Sequence, residues 1–255
     1  MGALANANSV DPMLLRRLLD HVDKTIGRDA IKWPPTPAGY RDEAEAALLD
    51  SIFSLRAVYG RSAVKGPRAV VERWRAHVGR PLNDFQQMID EVEALGGVDG
   101  FRAVLKSNAV AVPNSPDRPT KALAVYTSAS ALLAAGIRNA RDVVESHAER
   151  PMDLLRAIRR GRGVGRQAAT YFLMNLGLPG VKADVMINRF VDDALERHVS
   201  DVEAAQLVTI LAEELQASVL QLDHAIWHHG SAESRLRRTS RRTSRRGHSG
   251  CSLGG

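Results

Sequence analysis

Cysteine is almost missing from these 255 residues: Cys251, close to the C-terminal end, is the only one. A lone thiol excludes a disulfide framework and a multi-cysteine metal cluster within the chain. No apolar run is long enough to span a bilayer, so no membrane partner is expected. The opening decapeptide "MGALANANSV" has neither a basic n-region nor an apolar h-region, and Asn6 stands where a myristoylation signal carries Ser or Thr. Neither a signal peptide nor a lipid anchor is therefore expected, and the cytoplasm is the expected compartment. Alternating strand patterns and fixed-period repeats are missing too.

What is present is ordinary in bulk. The chain is 44% hydrophobic and 25% charged, as in globular proteins generally. Its length allows one sizeable core or two modest lobes. The net charge of +6 is unevenly spread: "RLRRTSRRTSRR", residues 235–246, holds seven arginines and no acid. Without them 28 basic residues face 29 acidic ones, a net of −1. The high pI is thus a property of the tail, 231–255, which is rich in Ser, Arg and Gly and is expected to be disordered. Within the body one local excess stands out. "RAIRRGRGVGR", 156–166, carries five arginines and no acid.

Helical signals dominate the body. Asp11 and Pro12 suit the cap and first turn of "DPMLLRRLLDHVDKTI". "WPPTP", 33–37, reads as a stiff connector. "DEAEAALLDSIFSLRAVYG" has helical spacing and is expected to stop at Gly60. "GPRAVVERWRAHVG" and "PLNDFQQMIDEVEALGG" each have a proline near the start and a glycine at the end. Ser200 and Glu203 have the spacing of a capping box. Only "AVAVP", 109–113, hints at a strand. The expected fold class is all-α.

The stretch "RGVGRQAAT", 162–170, lies between two short amphipathic helices. "PMDLLRAIRR" presents Leu154, Leu155 and Ile158 on one face, and "GRQAATYFLMNLG" presents Ala168, Ala169, Phe172 and Leu176. Glycines let the intervening backbone turn tightly and leave its amides uncovered. Amides at a helix start carry partial positive charge and suit an anion. Val164 would plug the turn into the core, and Arg162 and Arg166 would add charge. The ligand that fits is a phosphodiester held without base reading. A dinucleotide fingerprint is disfavoured because a helix precedes the glycines, and a Walker loop because no Gly-Lys-Ser/Thr follows. An ordinary helix–helix turn with solvated arginines is the plain alternative. Downstream, "LPGVKADVMINRFVDDAL", 178–195, reads as a loop and a helix with Asp184 at the junction. Taken alone, Asp184 reads as an N-cap.

Together, Gly163-Val164-Gly165, Leu178-Pro179-Gly180, Asp184 and Arg189 resemble the signature of the helix-hairpin-helix-GPD superfamily of base-excision DNA glycosylases, typified by endonuclease III and the alkylbase, adenine and oxoguanine glycosylases. The likeness covers 154–191 well. It extends faintly to "LLDSIFSLRAVYG", 48–60, similar to an early cleft-lining helix, and to "LDHAIWHHG", 222–230, similar to a late helix ending in His-Gly. The resemblance implies an all-α, two-lobed glycosylase fold with a helix-hairpin-helix motif. A core at 11–230 would comprise a lobe at about 38–172, with the hairpin at 154–176, and a second lobe from 11–37 plus 173–230. It implies double-stranded DNA as partner, a monomer, and, in a bacterium, association with the nucleoid.

The resemblance also implies chemistry. The DNA-binding residues would be Arg162, Gly163, Val164, Gly165, Arg166 and Gln167, with a monovalent cation held by hairpin carbonyls. A base would be flipped from the stack, and Asp184 would stabilise the oxocarbenium-like sugar and orient water. Amide bonds at a helix start favour an ionised carboxylate, so the cap and catalytic readings of Asp184 are compatible. Arg56 and Tyr59 correspond to positions that fill the gap or touch the opposite base. Lyase-type relatives carry a lysine where this chain has Gln167, and glutamine cannot form a Schiff base. A monofunctional hydrolase leaving an abasic site is therefore expected, with Lys182 the rival nucleophile. The run after His229-Gly230 contains no cysteine set, so no iron–sulfur cluster is expected. His224 and His228 share a helix face but lack further ligands, so no metal site is expected. Oxidised, alkylated and deaminated bases all remain open as targets. So do bulky modified bases of phage DNA, which would make this a defence enzyme. A non-catalytic helix-hairpin-helix DNA-binding protein is the reading of another class.

Overall fold

The computed structural model describes residues 11–36, 38–57 and 66–232. Tyr59, the arginine-rich tail, Cys251 and the first ten residues lie outside the described residues. Among those described, the chain is all-helical, with no strand. The described residues form two compact units, one within 38–180 and the other from 11–36 with 181–232.

The 38–180 unit is organised around α2 (Ala44–Phe53), of which every residue is buried. A helix that is apolar nearly all round must be enclosed. It packs against α3 (Pro67–Val78), α6 (Lys121–Ala134) and α9 (Arg166–Asn175), with α4 (Phe85–Ala94) touching it more lightly. Leu48, Leu49 and Ile52 of α2 join Trp74, Phe85, Phe101 and Phe172 in one core. The remaining helices of this unit are α5 (Val98–Leu105), α7 (Ala140–Glu149) and α8 (Pro151–Arg159).

Two acids of α2 are buried, and both are satisfied. Glu45 accepts the Trp74 indole N–H at 3.0 Å, the Arg80 guanidinium at 2.7 Å and the Asp84 backbone N–H at 3.0 Å. A buried carboxylate is tolerable when its lone pairs are filled this way. Asp50 accepts longer bonds from Tyr40, Ser54 and Asn175. Burial and the neighbouring Asp50 charge push the Tyr40 phenol far above its ordinary range.

The other unit contains α1 (Pro12–Thr25), a 3-10 turn at Ala30–Lys32, α10 (Val185–Leu195), α11 (Asp201–Glu214) and a final helix, α12, over 219–232. Leu18 and Val22 of α1 meet Phe190 and Val191 of α10, Leu211 of α11 and Ile226 of α12 in a second core. Asp11 caps α1 by accepting the Met13 N–H, and Pro12 opens it.

Three local expectations are corrected. The helix expected to run to Gly60 ends at Phe53, and Arg56 already has a left-handed backbone, φ 54°. The cause is distant in sequence: the Lys121 ammonium donates to the Phe53 and Leu55 carbonyls and closes the helix there. "AVAVP" forms no strand but a single antiparallel bridge, Val110 to Thr120. At α11, Ser200 accepts the Glu203 N–H, but the Glu203 carboxylate pairs with Arg197, so half of the capping box forms.

Candidate functional site

In the 38–180 unit, α8 and α9 are joined by residues 160–165. Leu154 and Ile158 of α8 and Ala168, Ala169 and Phe172 of α9 are buried, which fixes both helices to the core. Val164 is buried between them, and its N–H donates to the Gly161 carbonyl at 3.0 Å. The three glycines have different reasons to be there. A Cβ at Gly161 would lie 1.8 Å from the Ser128 hydroxyl. Gly163 has φ 84°, a left-handed backbone that costs a side chain strain, and it abuts Ala111, Val112 and Pro119. A Cβ at Gly165 would meet nothing within 4 Å.

Gly165 is the N-cap of α9, and no side chain caps that helix. Its N-terminal amides therefore open onto clear space, with the positive end of the helix dipole behind them. Five exposed arginines lie along the chain from the second half of α8 to the first residue of α9: Arg156, Arg159, Arg160, Arg162 and Arg166. Arg156 pairs with Asp153, and Arg162 with Asp117 at 2.9 Å. Arg159, Arg160 and Arg166 form no ion pair among the described residues. Gln167 lies in the first turn of α9 and is half-buried.

Arg56 is brought to the same place by the bend after α2. Its guanidinium donates to the Ala111 carbonyl at 3.3 Å, on the segment that packs under Gly163. It is exposed, and it stands beyond the helix rather than on it.

In the other unit, Asp184 is the N-cap of α10. Its Oδ1 accepts the Met186 N–H at 2.8 Å and the Ile187 N–H at 3.3 Å, leaving Oδ2 outside the cap. Asp84 makes a useful contrast. It caps α4 in the same way but is also clamped by Arg138, and Asp184 has no such ion pair among the described residues. The turn before Asp184 is tight: its N–H donates to the Lys182 carbonyl at 2.6 Å.

One group here was not singled out from the sequence. Asp223 of α12 is buried, and its Oδ1 accepts the Lys182 backbone N–H at 3.0 Å. Burial pushes its carboxyl up to about 7. The Lys182 N–H opposes this, the nearby Asp184 charge adds to it, and the Lys182 ammonium opposes it. The available signal was an acid on the apolar face formed by Leu222, Ala225 and Ile226.

Further along α12, the His224 and Trp227 rings stack with centroids 6.1 Å apart, and His228 lies 6.4 Å from His224. Burial, then the neighbouring His228, lowers the His224 imidazole. Among the described residues no three His, Cys, Asp or Glu side chains are grouped to hold a metal ion. No helix among them is long and apolar enough to cross a membrane.

Comparison with curated proteins and with solved structures finds no match. A family model described as "Domain of unknown function (DUF8548)" matches residues 16–231, and the chain belongs to that family.

Proposed function

We propose that this protein is a monofunctional DNA glycosylase of the helix-hairpin-helix type, which flips a damaged or modified base from duplex DNA and hydrolyses its N-glycosidic bond. The observation that carries the reading is the start of α9, an uncapped helix end with an unobstructed Gly165, adjoined in the chain by three exposed arginines that form no ion pair among the described residues. Such an end suits a phosphodiester oxygen, gripped by backbone amides with arginines on the flanking phosphates. A monovalent cation would use the carbonyls of the same turn other than Gly161 and Ile158, which already accept N–H bonds from Val164 and Gly161.

Asp184 supplies the chemistry. Oδ1 is held by α10, and Oδ2 would be the oxygen that meets the sugar and water. The bond to the base breaks with its electron pair leaving on the base nitrogen, and the sugar becomes cation-like. The carboxylate stabilises that charge and orients a water whose oxygen bonds to C1′. The water's proton passes through Asp184 to the departing base. Gln167 occupies the sequence position at which lyase-type relatives carry a lysine, so the product of this reading is an intact strand with an abasic site.

The cap bonds of Asp184 favour a second reading, in which the carboxylate is only structural and the chain binds DNA without cutting it. End-labelled duplexes carrying single lesions separate the two. Incubation followed by alkali should give strand breaks with the wild type, none before alkali, and none with Asp184→Asn. Salt-sensitive binding without alkali-labile sites in any duplex would favour the binding module.

A further inference from the structure

Asp223 has no part in the scheme above, and burying a carboxyl needs a reason. Its surroundings supply one. Lys182 is bonded on both sides of its peptide plane pair: its N–H goes to Asp223 Oδ1 at 3.0 Å, and its carbonyl takes the Asp184 N–H at 2.6 Å. Asp223 is thus one residue removed from the backbone of Asp184. The same stripe of α12 makes a second contact just past Asp184, because a Cβ at Gly230 would lie 2.9 Å from the Met186 sulfur. Asp223, Ile226 and Gly230 follow one another at three- and four-residue spacing, so one helix face braces both sides of the α10 cap.

We propose that Asp223 is a positioning residue for Asp184, holding the 182–184 turn through the Lys182 N–H. This rests on the glycosylase reading of Asp184. Burial first, and then the nearby Asp184 carboxyl, disfavour a charge on Asp223, so Asp223 keeps its proton to higher pH than an ordinary carboxyl. The charged groups acting on Asp223 are Asp184 and Lys182, both from the segment it braces. A neutral Asp223 accepts the Lys182 N–H and adds no charge beside Asp184. An ionised Asp223 puts a buried charge against the turn, which loosens to admit water.

The test compares wild type, Asp223→Asn and Asp223→Ala in single-turnover base release across the pH range on either side of 7, with DNA affinity and melting measured alongside. Asn keeps an oxygen acceptor for the Lys182 N–H and cannot ionise. Asp223→Ala should lose about tenfold to a hundredfold in the chemical step, as misplaced catalytic groups do, with DNA affinity unchanged. Asp223→Asn should recover most of that rate and lack the decline expected of the wild type above about pH 7. A wild-type rate and pH profile in Asp223→Ala would overturn the proposal while leaving the glycosylase reading intact. Carboxyl carbon-13 titration of the full-length chain, with the Asp223 signal assigned through Asp223→Asn, gives a readout independent of activity. An Asp223 curve that moves to lower pH in Asp184→Asn supports the coupling even if no base is ever released. An unshifted curve contradicts it.

Discussion

Lys121, the first residue of α6, donates its ammonium to the carbonyl of Phe53, the last residue of α2, at 2.9 Å. A second bond reaches Leu55, and the ammonium lies 5.8 Å from the centre of the Phe53 ring. A buried cation thus ends the central helix of its unit and sets the bend that carries Arg56. Lys121→Met keeps the length of the side chain but strands those carbonyls. The expected loss is about 2–3 kcal/mol, the cost of unpaired buried polar groups, read as a lowered denaturant midpoint. An unchanged midpoint would show that the helix ends there without the lysine.

The glycines of the α8–α9 turn should separate folding from binding. Gly163→Ala forces a side chain into a left-handed backbone against Ala111, and should cost about 1 kcal/mol or more. Gly165→Ala meets open space and should cost only a few tenths of that, roughly the difference between N-cap residues. DNA affinity should show the reverse sensitivity for Gly165→Ala, whose new methyl stands where a phosphate would approach. Equal DNA affinity of wild type and Gly165→Ala would remove the phosphate from that helix end.

Arg162 is paired with Asp117 on the surface, an arrangement worth about 0–1 kcal/mol to the fold. Asp117→Asn should therefore leave melting unchanged and tighten DNA binding, because one arginine is released. Arg166→Gln should weaken binding for every sequence and reduce the slope of log affinity against log salt by about one. A slope unmoved in both variants would mean that DNA approaches elsewhere.

Asp223 gives the unit containing it a definite pH dependence. Its carboxyl is raised from about 3.8 to about 7 in the fold, so between those values the folded state holds a proton that the unfolded chain releases. Stability must fall as pH rises through that window and level off above it. The full effect is on the order of 4 kcal/mol. Asp223→Asn, unable to ionise, should flatten the curve and be the more stable protein at pH 8. Denaturation midpoints measured from pH 4 to 8 decide this, and parallel curves for the two proteins would contradict it.

How much of this could be read from the sequence depends on the range of the determining contacts. The α8–α9 turn was legible because its glycines, Val164 and the apolar faces beside it lie within about two dozen residues. The Asp184 cap was legible for the same reason. The end of α2 was not, because Lys121 acts from 68 residues away. The short helices α5 and α7 went unnamed because each depends on packing rather than on a long apolar stripe, although Asn139 and Asp142 do form a full capping box. Asp223 escaped notice because its partner, the Lys182 N–H, is 41 residues distant. The pairing of Arg162 with Asp117 spans 45 residues and was equally hidden.

The most direct measurement is mass spectrometry of free bases released from duplex DNA, with wild type beside Asp184→Asn. The substrates would be oxidised and alkylated DNA, uracil-containing DNA and heavily modified phage DNA. A base released by the wild type and absent with Asp184→Asn, from strands that remain unnicked, is the expected result, and its identity names the target. No base released from any of these DNAs, with salt-dependent binding intact, would contradict the assignment of Asp184 as a catalytic carboxylate.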